Sequence, residues 1–308
     1  MHVSSRGLYV LTVMIWGSTW LAIEYQLGVV APEVSVVYRY AAASALLFAW
    51  CGARGLGLRF AWRAHVRFAL LGLLLFGLNY VLAYRAQVHI TSALCAIAFS
   101  MMLWMNIVNA RLFFGVRSER RVLLGALIGV AGTMILFSPQ IGELTLSASV
   151  FVGLVLAVAG ALSASLGNMV SQRAQKLSLP VIQTNAWGML YGCLWTGGYV
   201  AYAGYAFTFD WSPGYVISLA YLVVFGSIVA FGAYLTLVGR IGAHRAGYAS
   251  VMWPVVARVL STAFEGLRLD VPTVLGTALV LGGNLLVLRS RSTLAGSRDL
   301  HEPAAASS

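Results

Sequence analysis

The chain has 308 residues, 60% of them hydrophobic and only 9% charged, with a net charge of +11. A water-soluble fold of this makeup would expose too much apolar surface, so composition excludes an ordinary soluble domain and indicates segments that cross a bilayer. The surplus of positive charge falls between apolar runs, which reads as membrane topology and contact with anionic lipid headgroups, and nucleic acid is not an expected partner.

A bilayer span needs roughly 20 mostly apolar residues as a helix. Taken in chain order, the apolar runs predict spans over Leu8–Val29, Val34–Cys51, Val66–Arg85, Thr91–Phe114 and Val122–Ser138. They continue over Ser149–Val170, Val181–Gly204, Tyr215–Val238, Ala246–Phe264 and Val271–Leu288. The first run exceeds a usual signal-peptide core and lacks a clear small-x-small exit, so it is read as a retained helix. The expected organisation is a first unit over 1–138, a second over 139–289, and a tail over 290–308 rich in Ser and Ala that reads as disordered and cytoplasmic. If the N terminus is cytoplasmic, every Lys and Arg except Arg39, Arg85, Arg258 and Arg268 falls on the inner side, while Glu33, Glu143, Asp210 and Asp270 fall on outer links. The positive-inside rule then places both termini in the cytoplasm.

Cys51, Cys95 and Cys193 are far apart and lie in or at the ends of spans, and the five histidines show no ligand spacing. Neither a disulfide framework nor a metal site is expected.

A shift of 151 residues lays Gly115 on Gly266, Arg117 on Arg268, Leu124 on Leu275, Gly125 on Gly276 and Gly132 on Gly283. Five spans per copy is an odd number, so the second copy enters the membrane from the opposite side. Inverted repeats of this kind give transporters two nearly equivalent conformations around a midplane site. The expected fold is therefore an all-α membrane protein of ten transmembrane helices in two inverted five-helix repeats.

The run Trp16-Gly17-Ser18-Thr19-Trp20, the proline Pro254 in the ninth span, the glycine-rich fifth and tenth spans and the segment Phe264-Glu265-Gly266-Leu267-Arg268 carry a resemblance to a known family. The chain resembles the drug/metabolite transporter superfamily, EamA type, and in its aromatic character is most similar to the aromatic amino-acid exporter branch. Phe114 stands where Glu265 does in the other repeat, and Leu103 where Pro254 does, which departs from the pattern. The resemblance implies an exporter in a bacterial inner membrane.

Trp16 and Trp20 share one helix face roughly 12 to 18 Å from the inner end, too deep for interfacial anchors. They suit either the wall of a pocket for planar solutes or packing beside Gly17 and Ser18. Asn79, Ser100 and Ser163 lie at similar depth, and the pairs Tyr80 with Tyr84 and Ser100 with Trp104 also have four-residue spacing. An amide in hydrocarbon needs partners, so Asn79 should face substrate or another helix. Pro254 frees the carbonyl of Ser250 and bends the ninth span beside Trp253, as a hinge or as a packing kink. Glu24, Arg39 and Arg258 all lie roughly 8 to 10 Å beneath the outer boundary, so Glu24 is expected to neutralise one arginine and leave the other over. That surplus charge, expected at Arg258, would face the cavity and attract a substrate carboxylate, join an outer gate, or snorkel to headgroups. Gly125, Gly129, Gly132, Gly276 and Gly283 allow close helix approach, between the repeats or with a second subunit.

The function expected is secondary export of small amphipathic metabolites, chiefly amino acids including aromatic ones, by alternating access, from a monomer or a homodimer in contact with membrane lipid. No Walker-type phosphate loop is present, so direct ATP use and a nucleotide cofactor are not expected. An integral-membrane enzyme or a channel is the rival class, and it lacks here a catalytic cluster or a filter-like sequence.

Overall fold

The computed structural model describes residues 3–139, 147–265 and 270–288. The expected tail over 290–308, Glu143 and the repeat positions Gly266 and Arg268 lie outside the described residues. Every regular element among the described residues is a helix. In chain order they are α1 (Ser5–Glu24), α2 (Pro32–Ala53), α3 (Trp62–His89), α4 (92–114, stepped at Met101), α5 (Arg120–Leu136), α6 (Ala148–Lys176), α7 (Val181–Tyr202), α8 (Pro213–Ile241), α9 (Ala249–Glu265) and α10 (Val271–Leu288), with a single turn at Ala243–Ala246. Six of them, α1, α2, α3, α4, α6 and α8, are long and apolar enough to cross a membrane by length and composition. The others are shorter or, like α7 with Gln183, Thr184 and Asn185, more polar.

Local chemistry sets the ends. Ser4, Thr91, Ser147 and Ser212 each turn a side-chain oxygen onto a free first-turn N–H, at 3.1 to 3.4 Å, and Pro32 and Pro213 sit where a missing N–H costs nothing. Gly115 closes α4 with a left-handed φ of 66°. The first helix stops at Glu24, five residues short of the run that hydropathy predicts, because the chain turns through Gly28 at φ 118° before Pro32.

The helices pack in a pattern that repeats five helices on. α1 lies on α8 and α9, and α6 lies on α3 and α4. α2 and α7 face each other, with α2 also on α8 and α7 also on α3, while α5 pairs with α10. At that last crossing a Cβ on Gly125 would meet the carbonyl of Gly283 at 2.6 Å, and one on Gly132 the carbonyl of Gly276 at 2.8 Å. Each contact is the image of the other under the 151-residue shift, so the pair crosses antiparallel about a local two-fold axis. Where no side chain intervenes, backbones approach closely enough for dispersion and weak C–H···O contacts to hold helices together in lipid. The outward faces stay apolar: Val10, Met14, Leu112, Phe113 and Phe151 are 54 to 73% exposed. In water such a surface would aggregate, whereas in hydrocarbon it is matched.

Both long helices α3 and α8 contain a π-helical stretch, at Gly72–Leu78 and Leu222–Val229, with starts 150 residues apart, within one residue of the repeat shift. A π turn widens the helix and displaces carbonyls from their usual donors, which is why such turns gather near functional sites. Here the partner half supplies the donors. Trp16 Nε1 of α1 donates to Gly226 O at 3.0 Å, and its counterpart Ser163 Oγ of α6 donates to Leu74 O at 2.7 Å.

A candidate solute chamber walled by aromatic rings

Leu75 of the first π stretch and Phe231, just past the second, line a central cavity bounded by α1, α3, α4, α6, α8 and α9, that is, by three pairs of helices related by the repeat. Its volume is about 50 Å³, room for about three waters and far below the roughly 300 Å³ at which ligand pockets begin. The walls are aromatic. The Trp16 ring lies 4.8 Å from Phe231, 4.9 Å from Tyr234 and 5.2 Å from Trp253, and Trp20 lies 5.3 Å from Phe99, mostly edge to face.

Of the residues singled out in the sequence, Trp16, Trp20, Asn79, Tyr80 and Trp253 line this cavity. Asn79 donates to Leu75 O within its own helix at 3.2 Å, and its Oδ1 has no partner. The indole N–H of Trp253 is likewise unpartnered, whereas that of Trp16 is committed to Gly226. The other named residues do different work. Ser100 Oγ approaches the carbonyl of Ser250 at 3.4 Å, the group that Pro254 deprives of its helical donor. Ser163 holds the π turn of α3. Trp104 and Tyr84 lie off the cavity, Tyr84 fully buried behind it.

The charges are arranged otherwise than depth along each helix suggests. Glu24 neutralises no arginine: with α1 ending there it is an exposed terminal residue. Arg258 does not reach the cavity either. It is turned to the end of the bundle, where Nη2 lies 3.6 Å from Asp270 and Nε donates to Thr273 Oγ1 at 3.2 Å. Thr273 and the backbone of its own turn, more than Arg258, hold the Asp270 carboxyl below its ordinary value. Two further ion pairs mark the two ends of the bundle. Arg85 Nε bonds Glu33 at 2.5 Å at one end, and Arg245 Nη2 lies 3.3 Å from Glu119 at the other. The buried cation inside is Arg39, on α2.

Thr19, Phe99, Asn168, Phe231 and Tyr234 also line the cavity, and, Asn168 apart, none of them stands out from the apolar runs in sequence. Asn168 Nδ2 meets Tyr234 Oη at 3.0 Å and Asn106 Oδ1 at 3.3 Å, forming a polar knot at one wall of the cavity. Asn106 and Asn168, amides inside apolar runs, are the signal for this knot, since buried amides need partners. Among the described residues no three His, Cys, Asp or Glu side chains converge as metal ligands.

The EamA-like transporter family model matches residues 7–138 and again 151–289, one copy on each half. The chain belongs to the EamA-like transporter family. The EamA chain is 29% identical over 261 residues to the uncharacterized inner membrane transporter YedA of Escherichia coli (strain K12), covering 82% of this chain and 80% of that one. It is 25% identical over 291 residues to an uncharacterized transporter of Archaeoglobus fulgidus, covering 91% and 97%. A solved crystal structure superposes with a TM-score of 0.75 at 19% identity over 92% of this chain and 95% of that one, which establishes a shared fold.

Proposed function

We propose that this EamA-family protein is a secondary exporter of small amphipathic metabolites, chiefly aromatic amino acids, in the inner membrane with both termini in the cytoplasm. The observation that carries the reading is the aromatic chamber between three repeat-related helix pairs. Ring edges and faces attract planar solutes and can hold an ammonium, and the unpaired Oδ1 atoms of Asn79 and Asn168 are acceptors for the same group. A cavity of about 50 Å³ admits no such solute, so loading requires the halves to part, first toward one face and then the other. The positive-inside distribution of arginine and the inner-membrane names of relatives support the orientation and location.

Counterflow in proteoliposomes tests this. Radiolabelled phenylalanine should enter faster when unlabelled tryptophan is present on the far side. Uptake without such stimulation would indicate a channel, a chemically altered solute an enzyme, and no movement of any aromatic amino acid would end the proposal.

A further inference from the structure

Arg39 is fully buried, yet it has no carboxylate. Its Nε donates to Ser227 Oγ at 2.8 Å, and its guanidinium carbon lies 4.5 Å from the centre of the Tyr80 ring and 5.4 Å from that of Tyr40. Both terminal nitrogens, Nη1 and Nη2, lack a hydrogen-bond partner among the described residues, as do the hydroxyls of Tyr40 and Tyr84. The Tyr84 hydroxyl faces the same guanidinium and interacts with it electrostatically, without completing a well-formed hydrogen bond. Four buried donors are thus gathered without an acceptor in good hydrogen-bond geometry among the described residues. The acids whose side chains are described are engaged elsewhere or exposed: Glu33 with Arg85, Glu119 with Arg245, Asp270 with Arg258, Asp210 with Ser212, and Glu24 at an exposed helix end.

Arginine cannot shed its proton, so a buried guanidinium without a counter-charge is costly unless something supplies one. The terminal nitrogens form a fork that matches a carboxylate in two parallel hydrogen bonds. The fork stands one layer behind the chamber wall. Tyr80 lines the chamber on one side and carries the guanidinium on the other, and a Cβ on Gly226 would lie 3.0 Å from Nη2 and 3.1 Å from Thr19, another wall residue.

We propose that Arg39, with the hydroxyls of Tyr40 and Tyr84, is an anion subsite that takes the carboxylate of the solute whose ring occupies the aromatic chamber. This deepens the proposed function and rests on it for the ring, while the anion site itself stands on the arginine. One positive charge suits one negative charge, so the ligand class is a monocarboxylate, zwitterionic or simple, in preference to a phosphate. Among the described residues no acid lines the chamber, so an amine without a carboxylate has no counter-charge there.

Trp16 and Trp20 make intrinsic fluorescence a binding signal. Phenylalanine and 2-phenylethylamine, which differ by the carboxylate, should bind the purified full chain with at least about tenfold preference for the acid. Arg39→Gln should reduce the preference to within about twofold, and Tyr84→Phe should weaken phenylalanine about threefold or more while leaving 2-phenylethylamine unchanged. If Arg39→Gln is not monodisperse, the Tyr40→Phe/Tyr84→Phe double variant decides by the same ratio. Sodium acetate, against sodium chloride at equal ionic strength, should raise the melting temperature of the parent protein and not that of the variant. A parent protein that treats acid and amine alike, or a folded variant that keeps the preference, overturns the subsite. If acetate stabilises the parent and not the variant but no aromatic solute is carried, the subsite stands and the exporter reading falls. If aromatic solutes are carried with no carboxylate preference, the reverse holds.

Discussion

The seam between α2 and α8 and the seam between α7 and α3 occupy equivalent places in the two halves, yet they are closed by opposite means. At α7–α3, glycines meet backbone. A Cβ on Gly72 would lie 2.6 Å from the carbonyl of Gly188 and 2.7 Å from the nitrogen of Gly192, and one on Gly192 would lie 2.7 Å from Phe76 Cβ. At α2–α8 the helices stand further off, and the space holds Arg39 with Ser227 and Tyr80. Duplication has kept the π turn in both long helices while the chemistry beside it diverged. A seam of bare backbone cannot part without losing many small contacts at once. A seam around one charge can respond to whatever neutralises that charge, which assigns the first seam to a fixed joint and the second to sensing.

The strongest challenge to this contrast is Gly72→Val. Backbone atoms of α7 face the site and cannot yield, so overpacking should cost about 3 kcal/mol or more, and the variant should fail to give a monodisperse peak on gel filtration. Gly226→Ala at the charged seam meets only the ends of Arg39 and Thr19 and should remain folded. Equal tolerance at both sites would erase the distinction.

A control outside both seams is His244, in the single turn Ala243–Ala246. Burial, reinforced by Arg245, pushes its imidazole down to about 4 from an ordinary 6.5. The unfolded chain then binds the extra proton first, so stability is complete above pH 6.5 and falls as pH drops toward 4, by about 3 kcal/mol in total. His244→Gln should flatten the melting temperature across that window. An unchanged acid slope would show that the decline originates elsewhere, the two seams included.

Ser227→Ala sharpens the contrast by removing the acceptor of Arg39 Nε. A charged donor left buried costs about 2 kcal/mol, readable as a lower melting temperature, and the loss should shrink when acetate is present. Trp16→Phe is the mildest change. It keeps a ring in the wall and forfeits the bond to Gly226 O, worth about 1 kcal/mol, so phenylalanine counterflow should survive with a small loss of stability.

Much of the architecture was legible because apolar length and glycine spacing act directly on a helix in lipid. Gly125, Gly132, Gly276 and Gly283 revealed the repeat and also turned out to be the atoms in contact. The site was less legible, since depth along a helix can be counted from sequence but rotation about its axis cannot. Glu24 and Arg39 were placed in one layer, yet the turn through Gly28 strands the carboxylate at an exposed end while Arg39 points inward. Tyr80 and Tyr84 share a face by spacing, but only the first reaches the cavity. Phe231 and Tyr234 were invisible because, within a long apolar run, a ring facing the interior reads the same as one facing lipid.

The crossing of α5 with α10 is further secured by Tyr248, whose hydroxyl lies 3.3 Å from Gly125 O and 3.1 Å from Val280 O. None of these residues borders the chamber. Each half therefore ends in a bare-backbone helix whose natural mate is an upside-down image of itself. A gene encoding either half alone would make a polypeptide already shaped to seek its own inverted twin, and dual insertion in both directions would be the condition for such an ancestor to assemble.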